Sequence, residues 1–573
     1  MSSVATLTEL TPAQRRELLK IAQARDLVGR RWDLPPIEPA GREGWLPLSF
    51  AQERLWFIDR LEPGSPVYNI PVAWRLGGAL DVEALERSLG EIVWRHEALR
   101  TVFAEVDGTA VQVIAPFGGF VLPVEDLSGL GEANREAALR RRAGEEARRP
   151  FDLAAGPLFR AALLRLGTAD HVLLLTVHHI VSDGWSLGVL YRELSTLYAA
   201  YREGCESPLP ELGVQYADYA VWQREHLRDA VLEGELSYWR ERLAGAPELL
   251  ELPADHPRPA VRTYRGATVQ VELSLELLER LRALGRSEGA TLHMTLLGAF
   301  QVLLSKYGGG DDVVVGSLGA GRTSKEVEET IGFFVNTLVL RTDLSGDPGF
   351  REVLRRVQEV TLGAYEHQAV PFERLVAELQ PERSLSHTPL FQVMFALQNA
   401  VERGVALPGL EASEVEAEHE SAKFDLSLMA KATARGLCVG LNYSTDLFER
   451  ATVVRMLGHL SRVLEQVAAD ADVRLSQVEL LGEAERALVL EAWNRTAAEV
   501  PADRCIHELF EAQAARTPDA VAVVFDYASL TYAELNARAN RLAHHLRGHG
   551  VGPEVRVGVL MERSLEMVVS LLA

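Results

Sequence analysis

Two adjacent histidines, a carboxylate and a glycine follow an apolar stretch in the segment HVLLLTVHHIVSDGWS, residues 171–186. His178 and His179 end the apolar stretch, and Asp183 and Gly184 come within the next five residues. An imidazole has an ordinary pKa of about 6.5, so it accepts a proton or a hydrogen bond at neutral pH. These residue types therefore indicate a base or a positioning group, held at the end of a strand by a tight turn.

A strand, a turn and a helix must position these side chains. Residues 172–177 predict a buried strand, and the apolar residues between 187 and 198 recur at the three-and-four spacing of one helical face. Ser182 or Asp183 is expected to cap that helix. Because successive side chains point to opposite faces of a strand, the two imidazoles are expected to face opposite ways.

The same residues admit other interpretations. A metal pair is disfavoured, because neighbouring strand residues diverge and no cysteine or carboxylate spacing completes a zinc set. A histidine of the core with its hydrogen bonds satisfied and a histidine that acts as a base or positioning group are equally compatible with these residues. Asp183 either accepts from an imidazole or pairs with an arginine to shape the loop, and its place before a helix favours the second. Asn336, inside the apolar run 331–341, is interpreted as a core hydrogen bonder.

Composition disfavours several classes of function. The chain has 573 residues and a net charge of −22, which opposes nucleic acid as a partner. No apolar run is long enough to cross a membrane, and the first residues lack the apolar core of a signal peptide. Cys205, Cys438 and Cys505 are odd in number and far apart, which indicates free thiols in a cytoplasmic protein.

Strand-like and helical runs alternate along the chain, which predicts an α/β fold in two lobes followed by a separate unit. The runs 331–341 and 555–560 are both interpreted as strands. The predicted ranges are a helix and linker at 1–44, a first lobe at 45–215, a second lobe at 216–475, a linker at 476–500 and a new unit at 501–573.

An ordered set of motifs resembles the condensation domains of nonribosomal peptide synthetases. HHIVSDG at 178–184 resembles their HHxxxDG signature. The other motifs keep the family's order: LSFAQERLWF at 48–57, RHEALRT at 95–101, YADYAVWQ at 216–223, IGFFVNTLVLR at 331–341, HQAVPFERLV at 367–376 and RSLSHTPLFQVMF at 383–395. The tail, with HELFEAQAARTPDAVAV and LTYAELN, resembles the opening of an adenylation domain without its nucleotide-binding motifs, and such a fragment is expected to be inactive by itself.

The resemblance implies a pseudodimer of two chloramphenicol acetyltransferase-like lobes with a tunnel between them. Upstream donor and downstream acceptor carrier proteins would each deliver a substrate on a phosphopantetheine arm, and the domain itself would bind no cofactor and no metal. A carrier-bound aminoacyl amine would attack a carrier-bound acyl or peptidyl thioester to form an amide. The adjoining adenylation domain would be a further partner.

The resemblance also assigns roles to residues. His179 would be catalytic, as a base or as a positioning group, and the Gly184 amide would polarise the thioester carbonyl. His178 and Asp183 would be structural, with Arg100 as the partner of Asp183. Arg95 competes with Arg100 for that pairing. The residues expected to line the tunnel are Asn336, Trp185 and Ser186.

Differences among relatives in the two histidines and in the domain that follows indicate the class of condensation domain. Heterocyclising relatives replace the two histidines with aspartates, and epimerising relatives are not normally followed by an adenylation domain. This chain therefore resembles the class that condenses L-configured donors. Residues 1–44 are either a docking segment for another polypeptide or an interdomain helix. A non-catalytic carrier-recruiting platform and an acyltransferase for soluble coenzyme A thioesters are the rival functions.

Overall fold

The structure is a computed structural model that describes residues 35–322, 324–381, 384–398, 404–415, 421–500 and 502–573. The helix predicted near the start of the chain lies outside the described residues. The chain divides into two compact units, Met1–Gly482 and Glu483–Ala573.

The strands of the first unit form three sheets, and the predicted α/β layering is confirmed. In chain order they are β1 Leu46–Pro47, β2 Asn69–Gly78, β3 Thr101–Val106, β4 Thr109–Ile114, β5 Val124–Asp126, β6 Phe159–Gly167, β7 Asp170–His178, β8 Gly266–Ser274, β9 Asp312–Gly319, β10 Asn336–Asp343, β11 Val393–Gln398, β12 Leu410–Glu414, β13 Leu426–Thr433 and β14 Gly436–Ser444.

The helices of the first unit cover these sheets. They are α1 Phe50–Leu61, α2 Val82–Arg95, α3 Glu132–Arg148, α4 Gly184–Arg202, α5 Tyr216–His226, α6 Asp229–Leu243, α7 Leu275–Ser287, α8 Leu292–Gly308, α9 Phe350–Glu366, α10 Phe372–Leu379 and α11 Arg450–Ala469. The side chain of Asp81 caps α2 by accepting a hydrogen bond from the Ala84 amide.

Two larger sheets form the body of this unit. The first has the strand order β12-β2-β7-β6-β5, and the second has the order β10-β9-β11-β13-β14-β8. A small antiparallel sheet, β1-β4-β3, joins the first. Parallel pairing occurs between β5 and β6 and along β9-β11-β13, and the other pairs are antiparallel. Each large sheet has its own large hydrophobic core.

The strand β7 is buried on both faces, and its side chains alternate between two cores. Leu173, Leu175 and Val177 pack in the large core of the first sheet. Val172 and Leu174 pack in a smaller core on the other face, beneath α3. A strand that is covered on both faces reads as a continuous apolar run, which explains the sequence before the histidines.

Long-range crossovers change three boundaries that the sequence suggests. Helix α5 and the segment 327–334 belong to the core of the first sheet, and β12 pairs with β2, although all three lie in the range predicted for the second lobe. The strand predicted at 331–341 begins only at Asn336. The preceding residues cross to the N-terminus of α4 instead of pairing in the second sheet.

The second unit contains α12 Glu483–Ala487, α13 Ile506–Arg516, β15 Val521–Phe525, β16 Ala528–Thr531, α14 Tyr532–Gly548 and α15 Leu565–Leu572. The two strands pair in an antiparallel hairpin. The apolar run 555–560 is exposed and forms no strand, so the prediction of a strand there is wrong. A small core of Leu530, Leu535, Leu565 and Val569 holds this unit together.

Candidate active site

The two adjacent histidines have different surroundings because β7 ends between them. His178 is the last residue of the strand, and His179 begins a single 3-10 turn. His178 is buried, its Nδ1 accepts a hydrogen bond from the Ile180 amide at 3.2 Å, and its ring meets the ring of Phe151 edge to face. His179 lines a cavity, where its ring lies 4.8 Å from the ring of Phe333, centroid to centroid.

Both imidazoles are neutral at physiological pH. Burial lowers the pKa of His178 to about 3, with smaller contributions from the charges of His179 and Lys423. Burial also lowers the pKa of His179 to about 3, and the positive charge of Lys423 is the next cause. The Nδ1 atom of His179 is buried and makes no hydrogen bond in the described part of the chain.

The cavity has a volume of about 2530 Å³ and receives side chains from the elements of both large sheets. Its floor and walls are mixed in polarity, with aromatic rings beside charged groups. The lining includes Arg54, Tyr68, His179, Tyr219, Trp222, Tyr264, Phe333, Asn336, His367, Glu373 and Lys423.

Asp183 binds the start of α4 and, at the same time, residues 324–334, which cross to α4 and are called the crossing segment. Its Oδ1 accepts from the Ser186 amide at 2.8 Å as the helix cap, and its Oδ2 accepts from the Phe334 amide at 2.9 Å. Arg322 is its ionic partner, with Nη2 3.4 Å from Oδ1 and both side chains at most 1% exposed. Arg322 also donates to Thr330 O at 2.7 Å.

The predicted pairing of Asp183 with Arg100 is wrong, and so is the competing one with Arg95. Arg100 donates to Ala115 O at 2.6 Å and lies 3.7 Å from Glu97. Arg95 pairs with Glu193 at 3.1 Å. Arg95 ends α2 and Arg100 ends the short helical turn after it, and each is held by its own neighbours, whereas the chain after β9 brings Arg322 to the carboxylate.

Trp185 and Ser186 do not line the cavity, so their prediction as tunnel residues is wrong. The buried Ser186 hydroxyl donates to Gly332 O at 2.8 Å and accepts from Arg322 at 2.7 Å. The Trp185 indole donates to Glu328 O at 2.9 Å. Both side chains attach α4 to the crossing segment. Gly184 is exposed and lies outside the cavity lining, and a Cβ added there meets no heavy atom within 4 Å.

Asn336 lines the cavity and also holds the chain before α10. Its amide donates to Gln368 O at 2.9 Å and to Val370 O at 2.7 Å, and its Oδ1 accepts from the Phe372 amide at 3.1 Å. The side chain therefore shapes the cavity wall through the backbone that it binds.

Two cations of the site, Arg322 and Lys423, were not predicted from the sequence. Arg322 follows the glycine-rich stretch GSLGAG, and its one signal in the sequence is the need of a buried Asp183 for a cation. Lys423 precedes β13 directly and lines the cavity. A lysine beside an apolar strand carries no local sign that it faces a cavity.

The described residues contain no group of three or more His, Cys, Asp or Glu side chains able to hold a metal ion. Within the same described ranges, the helices are too short or too polar to cross a membrane.

Comparison with known proteins identifies the family. The family model for the condensation domain matches residues 42–490, and the model for AMP-binding enzymes matches residues 510–573. Subunits D and C of linear gramicidin synthase from Brevibacillus parabrevis are 51% and 49% identical over 540 and 536 residues. A dimodular nonribosomal peptide synthase from Bacillus subtilis is 44% identical over 550 residues. The alignments cover 94%, 93% and 94% of this chain but only 11%, 7% and 23% of those relatives.

Solved structures share the fold. The X-domain from teicoplanin biosynthesis is 33% identical, with a TM-score of 0.72 over 78% of this chain and 100% of that one. A four-domain nonribosomal peptide synthetase bound to AMP and glycine is 24% identical, with a TM-score of 0.77 over 91% of this chain and 40% of that one. The chain belongs to the condensation domain family of nonribosomal peptide synthetases, and it ends in a fragment of the AMP-binding family.

Proposed function

We propose that this chain forms amide bonds between two carrier-bound substrates. The observation that supports this proposal is the position of His179, a neutral imidazole on the wall of a cavity of about 2530 Å³. A downstream aminoacyl amine attacks the carbonyl of an upstream acyl or peptidyl thioester. The C–N bond forms, the C–S bond breaks, and the sulfur leaves as a thiol with the proton that the nitrogen loses.

Positioning, rather than general-base catalysis, is the role that the charge state of His179 favours. An α-amino group has a pKa of about 8 and that of His179 is about 3, so protonation of the imidazole by an ammonium is unfavourable by roughly five powers of ten. A neutral imidazole remains a good hydrogen-bond acceptor for an N–H of the amine. Holding the amine beside the thioester accelerates the reaction by orientation.

The other residues divide into supporting groups. His178 and Asp183 hold the turn that presents His179, and Asn336 shapes the cavity wall, as their hydrogen bonds support. The substrates arrive on the phosphopantetheine arms of a donor and an acceptor carrier protein, an adenylation domain is the adjoining partner, and the donor is L-configured.

Replacing His179 with Ala tests the proposal. Two purified carrier proteins, one loaded with an acyl group and one with an amino acid, are mixed with the protein, and amide product is followed by mass spectrometry. We expect the rate to fall at least about 100-fold, because a single positioned polar group contributes a factor of this size. His256→Ala is the matched control, since His256 is exposed and lies outside the cavity lining.

Three outcomes contradict the proposal. Undiminished product with His179→Ala means that amide formation does not need His179, and the absence of product with the unchanged chain supports a non-catalytic platform. Equal rates with soluble coenzyme A thioesters and with carrier-bound thioesters support an acyltransferase that does not depend on carriers.

A further inference from the structure

Lys423 brings a positive charge into the cavity, and no carboxylate among the described residues forms an ion pair with it. Its side chain lines the same cavity as His179, and its Nζ lies 4.5 Å from the centre of the Tyr68 ring. The ammonium forms no ion pair with a carboxylate among the described residues, and the charge that acts on it is that of another cation, Arg54.

The nearby carboxylates are already engaged by arginines. Glu373 pairs with Arg54 at 3.2 Å, and Asp425 pairs with Arg258 at 3.0 Å. The titratable and charged groups around Lys423 are the cations Arg54 and Arg262, the phenols of Tyr68 and Tyr264, the imidazoles of His178 and His179, and the carboxylate of Glu62 in the same cavity lining.

A second cation in this cavity is therefore disfavoured. Burial lowers the pKa of Lys423 itself to about 8, with the charge of Arg54 as the next cause. The charge of Lys423 in turn lowers the pKa of His179. Any ammonium group that enters the cavity meets the same repulsion, which is strong where little water screens it.

We propose that Lys423 is a positioning residue whose charge keeps the acceptor amine in its neutral form beside the neutral His179. This inference rests on the amide-forming function proposed above. The acceptor ammonium releases its proton to solvent as it enters the cavity. The neutral amine then donates an N–H to His179 while its lone pair forms the C–N bond. The proton that the nitrogen loses on attack leaves with the thiol.

The test is the pH dependence of kcat at saturating loaded acceptor carrier between pH 6 and 9, with Lys423→Met, Lys423→Gln and Lys423→Arg, because kcat reports the ionisation of groups in the enzyme–substrate complex. Without the charge, the acidic limb of the profile is expected to move up by about one pH unit, which is about tenfold in rate at pH 7. The Met variant and the unchanged chain converge near pH 9, since the pKa of Lys423 is about 8. Lys423→Arg stays within about threefold at pH 7, because arginine keeps its charge.

The controls separate this inference from the proposed function. Lys306→Met removes a lysine charge outside the cavity lining, and its profile is expected to match that of the unchanged chain. Met is uncharged and similar in length, so we expect that variant to fold, and Gln serves if its thermal melting shows otherwise. A Met or Gln profile equal to that of the unchanged chain overturns the inference. An Arg variant as slow as Met also overturns it, in favour of proton acceptance by a neutral lysine. If the unchanged chain makes no amide at any pH, the proposed function fails instead.

Discussion

At the scale of residues, one imidazole is buried within the fold and its neighbour lines the cavity. Val177 packs in the large core of the first sheet, and His178 meets the ring of Phe151, which belongs to the same core. His179 then continues into a turn that opens on the cavity. Both rings are neutral because burial removes the water that would stabilise an imidazolium.

The buried His178 makes stability depend on pH. Its pKa is about 3 in the folded chain and about 6.5 in the unfolded chain, so below pH 6.5 the unfolded chain binds a proton that the folded chain does not. As the pH is lowered below about 6.5, the free energy of unfolding therefore decreases, by about 1.4 kcal/mol per pH unit from this residue.

Urea denaturation at pH 5, 6 and 7 measures this contribution. His178→Asn keeps an acceptor for the Ile180 amide but does not titrate. Between pH 5 and 6, its free energy of unfolding is therefore expected to change less steeply with pH than that of the unchanged chain, by about 1.4 kcal/mol per pH unit. The exposed His256→Asn is the matched control. An equal slope for His178→Asn and the unchanged chain contradicts the prediction.

At the scale of elements, the segment that follows β9 fastens one sheet to the helix that carries the HHxxxDG turn. Gly321 and Gly332 allow its close approaches. A Cβ at Gly321 would lie 1.7 Å from Phe334 O, and one at Gly332 would lie 2.0 Å from the Tyr216 ring. Arg322, Asp183 and Ser186 fill the space between the segment and α4.

Two ion pairs attach α4 to this segment, and they are expected to contribute very differently to stability. Arg322→Ala leaves the Asp183 charge buried and unpaired, which costs about 3–5 kcal/mol. Arg192→Ala breaks the exposed pair with Glu329 and costs at most about 1 kcal/mol. Thermal melting of the two variants compares them directly. Equal, small losses would show that the buried pair does not hold the crossing segment.

At the scale of the whole molecule, the two large sheets have separate cores but share crossovers. Residues of α5 and of the segment 327–334 complete the core of the first sheet, and β12 extends that sheet. A cavity lined from both sides suits a reaction between two tethered substrates, because each needs its own approach. The second unit contributes no residue to the two large cores.

Ending the chain after Gly482 is therefore expected to leave the first unit intact. Its melting temperature should stay within about 2 °C of the same transition in the full chain, since every residue of the two large cores lies before Gly482. Differential scanning calorimetry of both chains measures this. A decrease of more than about 8 °C would mean that residues 483–573 stabilise the first unit substantially.

Sequence alone was sufficient for the layered α/β fold, for the strand, turn and capped helix around His178 and His179, and for the order of the family motifs. These features depend on side-chain periodicity and capping within short windows, and such windows are local. Strand alternation predicted that the two imidazoles face opposite ways, but their surroundings differ because β7 ends at His178 and His179 begins a turn.

Only the tertiary structure decided which cations serve the site. Asp183 pairs with Arg322, which is 139 residues away, rather than with the nearer Arg100. Lys423 reaches the cavity from the chain just before β13 of the other large sheet, and Trp185 and Ser186 bind a crossing segment instead of lining the cavity. The partner of a buried charge depends on how distant segments cross, and no local propensity specifies that crossing.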